Sequence, residues 1–209
     1  MDKTKMAVAV FDQNASAYQD KFMDVHQYKV SLDIFCRIVE KKNAGVLELA
    51  CGPGNITRYL LEQRPDFKIL GTDLSPNMLE LARQQNPGSI FQLMDCRDID
   101  TLNATFDAIM CSFALPYLSK EEAIKLIADA AMLLTEKGAL YLSTMEDDYS
   151  KSGLETSSSG NQLYMHYHEA GYLVDALEKN GFRVIDLKRQ HFISGEVKMT
   201  DLIIVARLP

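Results

Sequence analysis

The feature that most restricts how this chain can fold is an alternation. Between positions 46 and 145, short apolar runs are separated by segments with helical periodicity. VLELA (46–50), FKILGTD (67–73), IFQLMD (90–95), FDAIMCS (106–112) and ALYLSTM (139–145) read as strands. Segments 55–63, 76–85 and 119–134 read as helices between them. Strands joined through helices cross over right-handedly and lie parallel, buried on both faces. The boundaries carry their own chemistry. Ser75-Pro76 is an N-cap followed by proline at the first helical position. Ser119-Lys120-Glu121-Glu122 spells a capping box, and Gly138 reads as the stop of that helix.

Before the alternation, Val25, Tyr28, Leu32, Phe35 and Val39 are spaced as one amphipathic helix over 24–42, ended by Asn43-Ala44-Gly45. After it, the Ser/Gly-rich stretch 150–163 reads as a loop, either an active-site lid or a plain connection. A helix near 169–180 stops at Gly181. Two apolar runs, 182–193 and 197–208, then flank Ser194-Gly195-Glu196 as a hairpin. The expected fold class is α/β, a Rossmann-like three-layer sandwich whose mostly parallel sheet has an antiparallel last strand. Residues 1–209 are expected to form one domain: a helical cap (1–43), a core (44–145), and a substrate-side loop, helix and hairpin (146–209).

The first strand breaks into Cys51-Gly52-Pro53-Gly54 and a helix starts at once. In a doubly wound sheet, ligands sit beyond the carboxyl ends of the strands. Glycines there let a ligand approach bare backbone, and the helix offers free N–H groups and a positive dipole end. Glycines also make ordinary tight turns, so the second strand matters. It ends at Asp73, 21 positions after Gly52, where a ribose-binding carboxylate is expected. A dinucleotide turn would carry a third glycine where this chain has Thr57, and no Tyr-x-x-x-Lys pair occurs. Both facts weaken a dehydrogenase reading.

The motifs together resemble the class I S-adenosylmethionine-dependent methyltransferases, in particular their small-molecule members. ELACGPG (48–54) resembles the first motif, GTDLSPNML (71–79) the second, and LMDCRDI (93–99) the acidic segment after the third strand. FDAIMCSFALPYL (106–118) and LLTEKGALYLST (133–144) resemble the fourth- and fifth-strand motifs, and FDQNASAYQDKF (11–22) the N-terminal stretch. The resemblance implies a seven-stranded sheet and S-adenosyl-L-methionine as cofactor. It places Gly52 and Gly54 against the methionine part, with Glu48 fixing the loop or a water near the amino group. Asp73 would take the ribose hydroxyls, and Leu74 and Met78 would cover the adenine. Asp95 would accept the adenine amino hydrogen beside Cys96. Ser112 and Phe113 would lie near the transferable methyl, and Tyr18 would close over the cofactor. Ala50 stands where many members have glycine.

Methyl transfer from a sulfonium is an in-line displacement with a neutral leaving group, so positioning supplies much of the rate. A general base is needed only where the acceptor must lose a proton. Tyr164, His166 and His168 are the candidates, with packing or helix-start roles as the alternative; His191 lies in a strand pattern and reads as structural. Glu146-Asp147-Asp148 follows the fifth strand, but strand four ends in Cys111-Ser112 without the acidic partner a hard cation needs, so no metal is expected.

A net charge of −7 disfavours a nucleic-acid backbone as partner. The turn Ser112-Phe-Ala-Leu-Pro-Tyr117 lacks the Asn/Asp-Pro-Pro-Tyr motif of enzymes that methylate amide or exocyclic nitrogens. Both favour a small-molecule acceptor, with an RNA or protein methyltransferase and a non-catalytic cofactor-binding protein as alternatives. Cys36, Cys51, Cys96 and Cys111 are widely spaced with no CxxC pair, as for buried thiols in a reducing compartment. No apolar run reaches the roughly 18 residues of a membrane span, and no signal peptide is read at the N-terminus. A cytoplasmic protein is expected, with a homodimer left open.

Overall fold

Helices α1 (Lys3–Gln13) and α2 (Ala15–Phe22) open the chain, and after a 3-10 turn at His26–Tyr28 comes α3 (Lys29–Ile38). The alternation follows as β1 (Gly45–Leu49), α4 (Asn55–Gln63), β2 (Lys68–Asp73), α5 (Pro76–Gln85), β3 (Ile90–Leu93), β4 (Phe106–Ser112), α6 (Lys120–Leu133) and β5 (Leu134–Met145). The last third holds β6 (Gly153–Thr156), β7 (Gln162–Met165), α7 (Ala170–Lys179), β8 (Arg183–Ser194) and β9 (Val197–Arg207). This computed structural model describes residues 3–156, 160–194 and 197–209.

Seven strands form one sheet in the order β3-β2-β1-β4-β5-β9-β8. The first five pair in parallel, while β9 runs antiparallel to both β5 and β8. Alternate residues of the central strands serve opposite faces, as the two-residue period of a strand requires. Leu47, Leu49, Ile109 and Leu140 pack with α6 and α7. Val46, Ala108, Met110 and Tyr141 pack with α3 and α4. Helices on both faces make the three-layer α/β sandwich anticipated from the alternation.

Both expected caps are formed: Ser75 Oγ accepts from Met78 N–H, and Ser119 and Glu122 exchange the two bonds of a capping box. Three expectations are corrected. The helix over 24–42 begins only at Lys29, because His26–Tyr28 is a 3-10 turn. Gly138 is not a helix stop: α6 ends at Leu133 and β5 starts at Leu134. A register shift against β4 there turns the backbone so tightly that a Cβ on Gly138 would lie 2.7 Å from Thr135 O. Within 150–163, Gly153–Thr156 pairs antiparallel with Gln162–Met165 as a small separate hairpin, and positions 157–159 lie outside the described residues. Gly195 and Glu196 of the expected closing turn also lie outside them.

Candidate functional site

The carboxyl ends of β1, β2, β3 and β4 meet at one cleft. After β1 come Ala50 and Gly52, from β2 and the start of α5 come Asp73, Leu74 and Met78, and after β3 come Met94 and Cys96. Beyond β4 the wall is Ser112, Phe113, Ala114, Tyr117 and Leu118. The backbone is strained where it turns toward the cleft. Ala50 (φ 50°) and Phe113 (φ 54°) both hold left-handed conformations that cost a residue with a Cβ roughly 1–2 kcal/mol. Such strain explains why glycine suits the position of Ala50.

Asp73 ties two turns together. Its Oδ2 accepts from Gly52 N–H (2.9 Å) and its Oδ1 from Ser75 N–H (2.8 Å). Burial raises its carboxyl above the usual range, and the N–H groups of Ser75, Gly52 and Leu74 oppose that. Among the described residues lining the cleft, Asp73 is the one carboxylate, and no Lys, Arg or His accompanies it.

Tyr18 lies with its ring 3.9 Å from where a Cβ on Gly52 would stand. Burial, and Asp73 behind it, push its phenol up to about 12. Phe11 meets Tyr18 and Tyr117 edge-on at 5.6 and 5.1 Å, and Thr4, Ala7 and Val8 continue the α1 wall. Two clasps hold α1 over the cleft. Thr4 Oγ1 donates to Tyr117 O (2.9 Å), and Asp12 grips the start of α5. There Asp12 Oδ1 accepts from Ser75 Oγ (2.6 Å) and Asn77 N–H (3.0 Å), a favourable place for a carboxylate beside a helix dipole.

Nine of the twelve expected cofactor residues line this cleft: Tyr18, Ala50, Gly52, Asp73, Leu74, Met78, Cys96, Ser112 and Phe113. Glu48, Gly54 and Asp95 are not among them. Glu48 is 1% exposed and accepts from Thr57 Oγ1 at 2.5 Å; burial raises its carboxyl to about 8. Thr57, the residue in place of a third glycine, therefore anchors α4 to β1. Gly54 makes room for the protein itself: a Cβ there would sit 2.4 Å from Asn86 Nδ2 and 3.2 Å from Ala82, at φ 79°. Asp95 lies between two cleft residues, but its carboxylate is forked by Arg97, with Nη2 to Oδ2 at 2.6 Å.

The three candidate bases stand behind the wall. His168 is fully buried; its Nε2 donates to Leu115 O (2.7 Å), leaving Nδ1 to accept from Tyr172 Oη. Burial lowers it to about 4, so it is neutral at pH 7. His166 N–H donates to Pro116 O (2.7 Å) and its ring contacts Tyr149 Oη (3.2 Å). Tyr164 carries the Lys3 ammonium over its ring at 3.4 Å. None of the three lines the cleft; the two histidines brace the turn at Leu115–Tyr117, which does.

Glu146 is held by Arg189 at 2.5 Å and Asp147 by Lys151 at 2.8 Å, and no group of three His, Cys, Asp or Glu side chains suited to a metal occurs among the described residues. Sequence reasoning missed Thr4, Ala7, Val8, Phe11, Met94, Ala114, Tyr117 and Leu118 as wall residues. Most lay inside segments already singled out, without a polar group to mark them.

The description "Methyltransferase domain" matches residues 46–138. Trans-aconitate 2-methyltransferase of Methylobacterium nodulans is 37% identical over 89 residues, 43% of this chain and 34% of that protein. An uncharacterized methyltransferase of Bacillus cytotoxicus is 28% identical over 88% of this chain and 93% of its own. The N-methyltransferase NodS of Bradyrhizobium japonicum, solved in complex with S-adenosyl-L-homocysteine, superposes with TM-score 0.72 at 16% identity over 100% of both chains. The chain spans less than half the length of the first curated relatives it matches. No helix among the described residues is long and apolar enough to cross a membrane. Sheet order, the cleft at the strand ends and the matched segment agree: residues 46–138 are similar to a methyltransferase domain, and the fold is the one seen in S-adenosylmethionine-dependent methyltransferases.

Proposed function

We propose that the protein transfers a methyl group from S-adenosylmethionine to a small-molecule acceptor. The observation that carries this reading is Asp73, a half-buried carboxylate at the end of β2 in a cleft whose described lining residues include no cationic side chain. A carboxylate suits ribose hydroxyls and a cationic ligand, and Thr57 stands where a dinucleotide turn carries the third glycine that packs its helix around a diphosphate. The residues present therefore fit the sulfonium cofactor better than a dinucleotide.

When bound, S-adenosylmethionine supplies an electrophilic methyl on a sulfur that leaves as a neutral thioether. Toward it, Asp73 takes the ribose hydroxyls, and Gly52 offers backbone without a Cβ. Leu74, Met78, Met94 and Cys96 form the apolar slot for the adenine. Ala50, Ser112 and Phe113 face the methionine and methyl end, and Tyr18 covers it. Glu48 acts at a distance, holding α4 through Thr57, while Asp95 braces the adenine wall through Arg97. Residues 1–43 cap the cleft, 44–145 hold the cofactor, 146–209 complete the acceptor side, and the chain works as one unit.

The small-molecule acceptor is supported by the net charge of −7 and by the closed, uncharged α1 wall. Incubation with methyl-labelled S-adenosylmethionine and separated cell fractions tests it. Label in molecules below about 1 kDa is expected. Label confined to RNA or protein would refute it, and cofactor binding without transfer to any fraction would mark a non-catalytic protein.

A further inference from the structure

We propose that Tyr28 and Asp201 form a proton-accepting pair for the acceptor, whose reacting group is a hydroxyl or an amine and not a carboxylate. The inference rests on the methyltransferase reading above. It concerns a pair 173 residues apart in sequence, whose tyrosine ring packs against the cleft-wall residue Phe113.

Asp201 opens the inner part of β9 and lies opposite Met145, the last residue of β5. That register puts it at the carboxyl edge of the sheet, where ligands of such folds sit. It shares a sheet face with Ile203 and Val205, the face covered by α3. The side chain is 4% exposed, and among the described residues no cation pairs with it. Its hydrogen bond comes from Tyr28, whose Oη donates to Oδ2 at 2.7 Å. A buried carboxylate left with one hydrogen bond is costly to maintain for packing alone.

Two features aim the pair at an acceptor. The Tyr28 ring packs on Phe113 with centroids 5.2 Å apart, and Phe113 is a cleft wall residue held by Ser143 Oγ (3.0 Å to its N–H). Gln190, directly across from Asp201 on β8, has a buried Oε1 without a hydrogen-bond partner. A buried acceptor atom with no donor marks a place where a ligand N–H or O–H would be satisfied. Among the described residues, Tyr18 and Tyr141 act on Tyr28 and Asp186 acts on Tyr141, and none of the three is basic.

The acceptor's oxygen or nitrogen forms a bond to the methyl carbon, and the carbon–sulfur bond breaks with its electron pair on sulfur. The acceptor's proton passes to Tyr28 Oη as the phenol's own proton passes to Asp201 Oδ2. Burial holds Asp201 above the usual carboxylate range, which brings it closer to a proton it must accept. A carboxylate acceptor would need no such pair, and Asp73 and Asp201 would repel it.

The test uses the full chain, methyl-labelled S-adenosylmethionine and a small-molecule cell extract, with S-adenosylhomocysteine affinity measured in parallel. Wild-type product should resist mild alkali, as ethers and amines do and methyl esters do not. Asp201→Asn and Tyr28→Phe should each lower turnover about 100-fold or more while S-adenosylhomocysteine affinity stays within about twofold. Formate should restore part of the turnover of Asp201→Ala, which a packing role would not permit. Alkali-labile product, or Asp201→Asn turning over like wild type, overturns the pair and leaves the methyltransferase reading intact. Wild type that binds S-adenosylhomocysteine but labels nothing overturns the transfer and the pair together. Wild type that does not bind it overturns the cofactor reading itself.

Discussion

Asp73 does two things with one carboxylate: it pins the backbone of Gly52 and Ser75, and it presents its remaining lone pairs to the cleft. Asp73→Ala should therefore lower S-adenosylhomocysteine affinity about 100-fold, as expected when hydrogen bonds to a charged group are lost. Calorimetric titration reads this, and unchanged affinity would remove the ribose role. Glu48 gives a prediction of a different kind. Its carboxyl is raised to about 8 in the fold from an ordinary 4.5, so folding favours its protonated form. That contribution is present in full below pH 4.5 and is lost as pH rises through 8. Glu48→Gln removes the titration, so its unfolding free energy should fall less between pH 5 and pH 8 than that of wild type. Urea melts at pH 5, 6.5 and 8 compare the two, and parallel curves would contradict the buried, neutral state. Asp73 was legible because a strand end and a spacing mark it. The fork of Arg97 on Asp95 and the packing of Gly54 on Asn86 were not, because both depend on tertiary neighbours.

At the scale of elements, α1 is a cover clasped at both ends, by Thr4 on Tyr117 and by Asp12 on α5. Asp12→Ala should loosen the second clasp and raise the dissociation rate of S-adenosylhomocysteine about tenfold, the effect of one or two net hydrogen bonds. Stopped-flow release is the measurement, and an unaltered rate would mean that α1 does not gate the cleft. At the joint of α4 and α5, Gly54→Ala should destabilise the fold by about 2 kcal/mol or more, through both its positive φ and the overlap with Asn86. Thermal melting tests it, and a change below the noise of the melt would contradict the contact.

Strands and helices between 46 and 145 were readable because periodicity and caps are local properties. The β6–β7 hairpin was not, since its polar Ser/Gly-rich sequence shows no alternation. The Tyr-His cluster at 164–168 was open between chemistry and packing for a related reason. Residue type announces chemistry, but only the packing of Leu115 and Tyr172 around His168 shows that the imidazole is committed to structure.

Across the whole molecule, the sheet places an aromatic-walled cleft, with Asp73 as the one ionisable carboxylate among its described lining residues, at the strand ends of a chain bearing net charge −7. Thr57, in place of a third glycine, selects against a diphosphate, and a carboxylate beside an apolar slot suits a sulfonium nucleoside. The central claim is thus a claim about which nucleotide the cleft holds. The most direct measurement is calorimetric titration of the full chain with S-adenosylhomocysteine and, separately, with NAD. One-to-one binding of S-adenosylhomocysteine with no heat from NAD is the predicted result. Binding of NAD without S-adenosylhomocysteine would contradict the account.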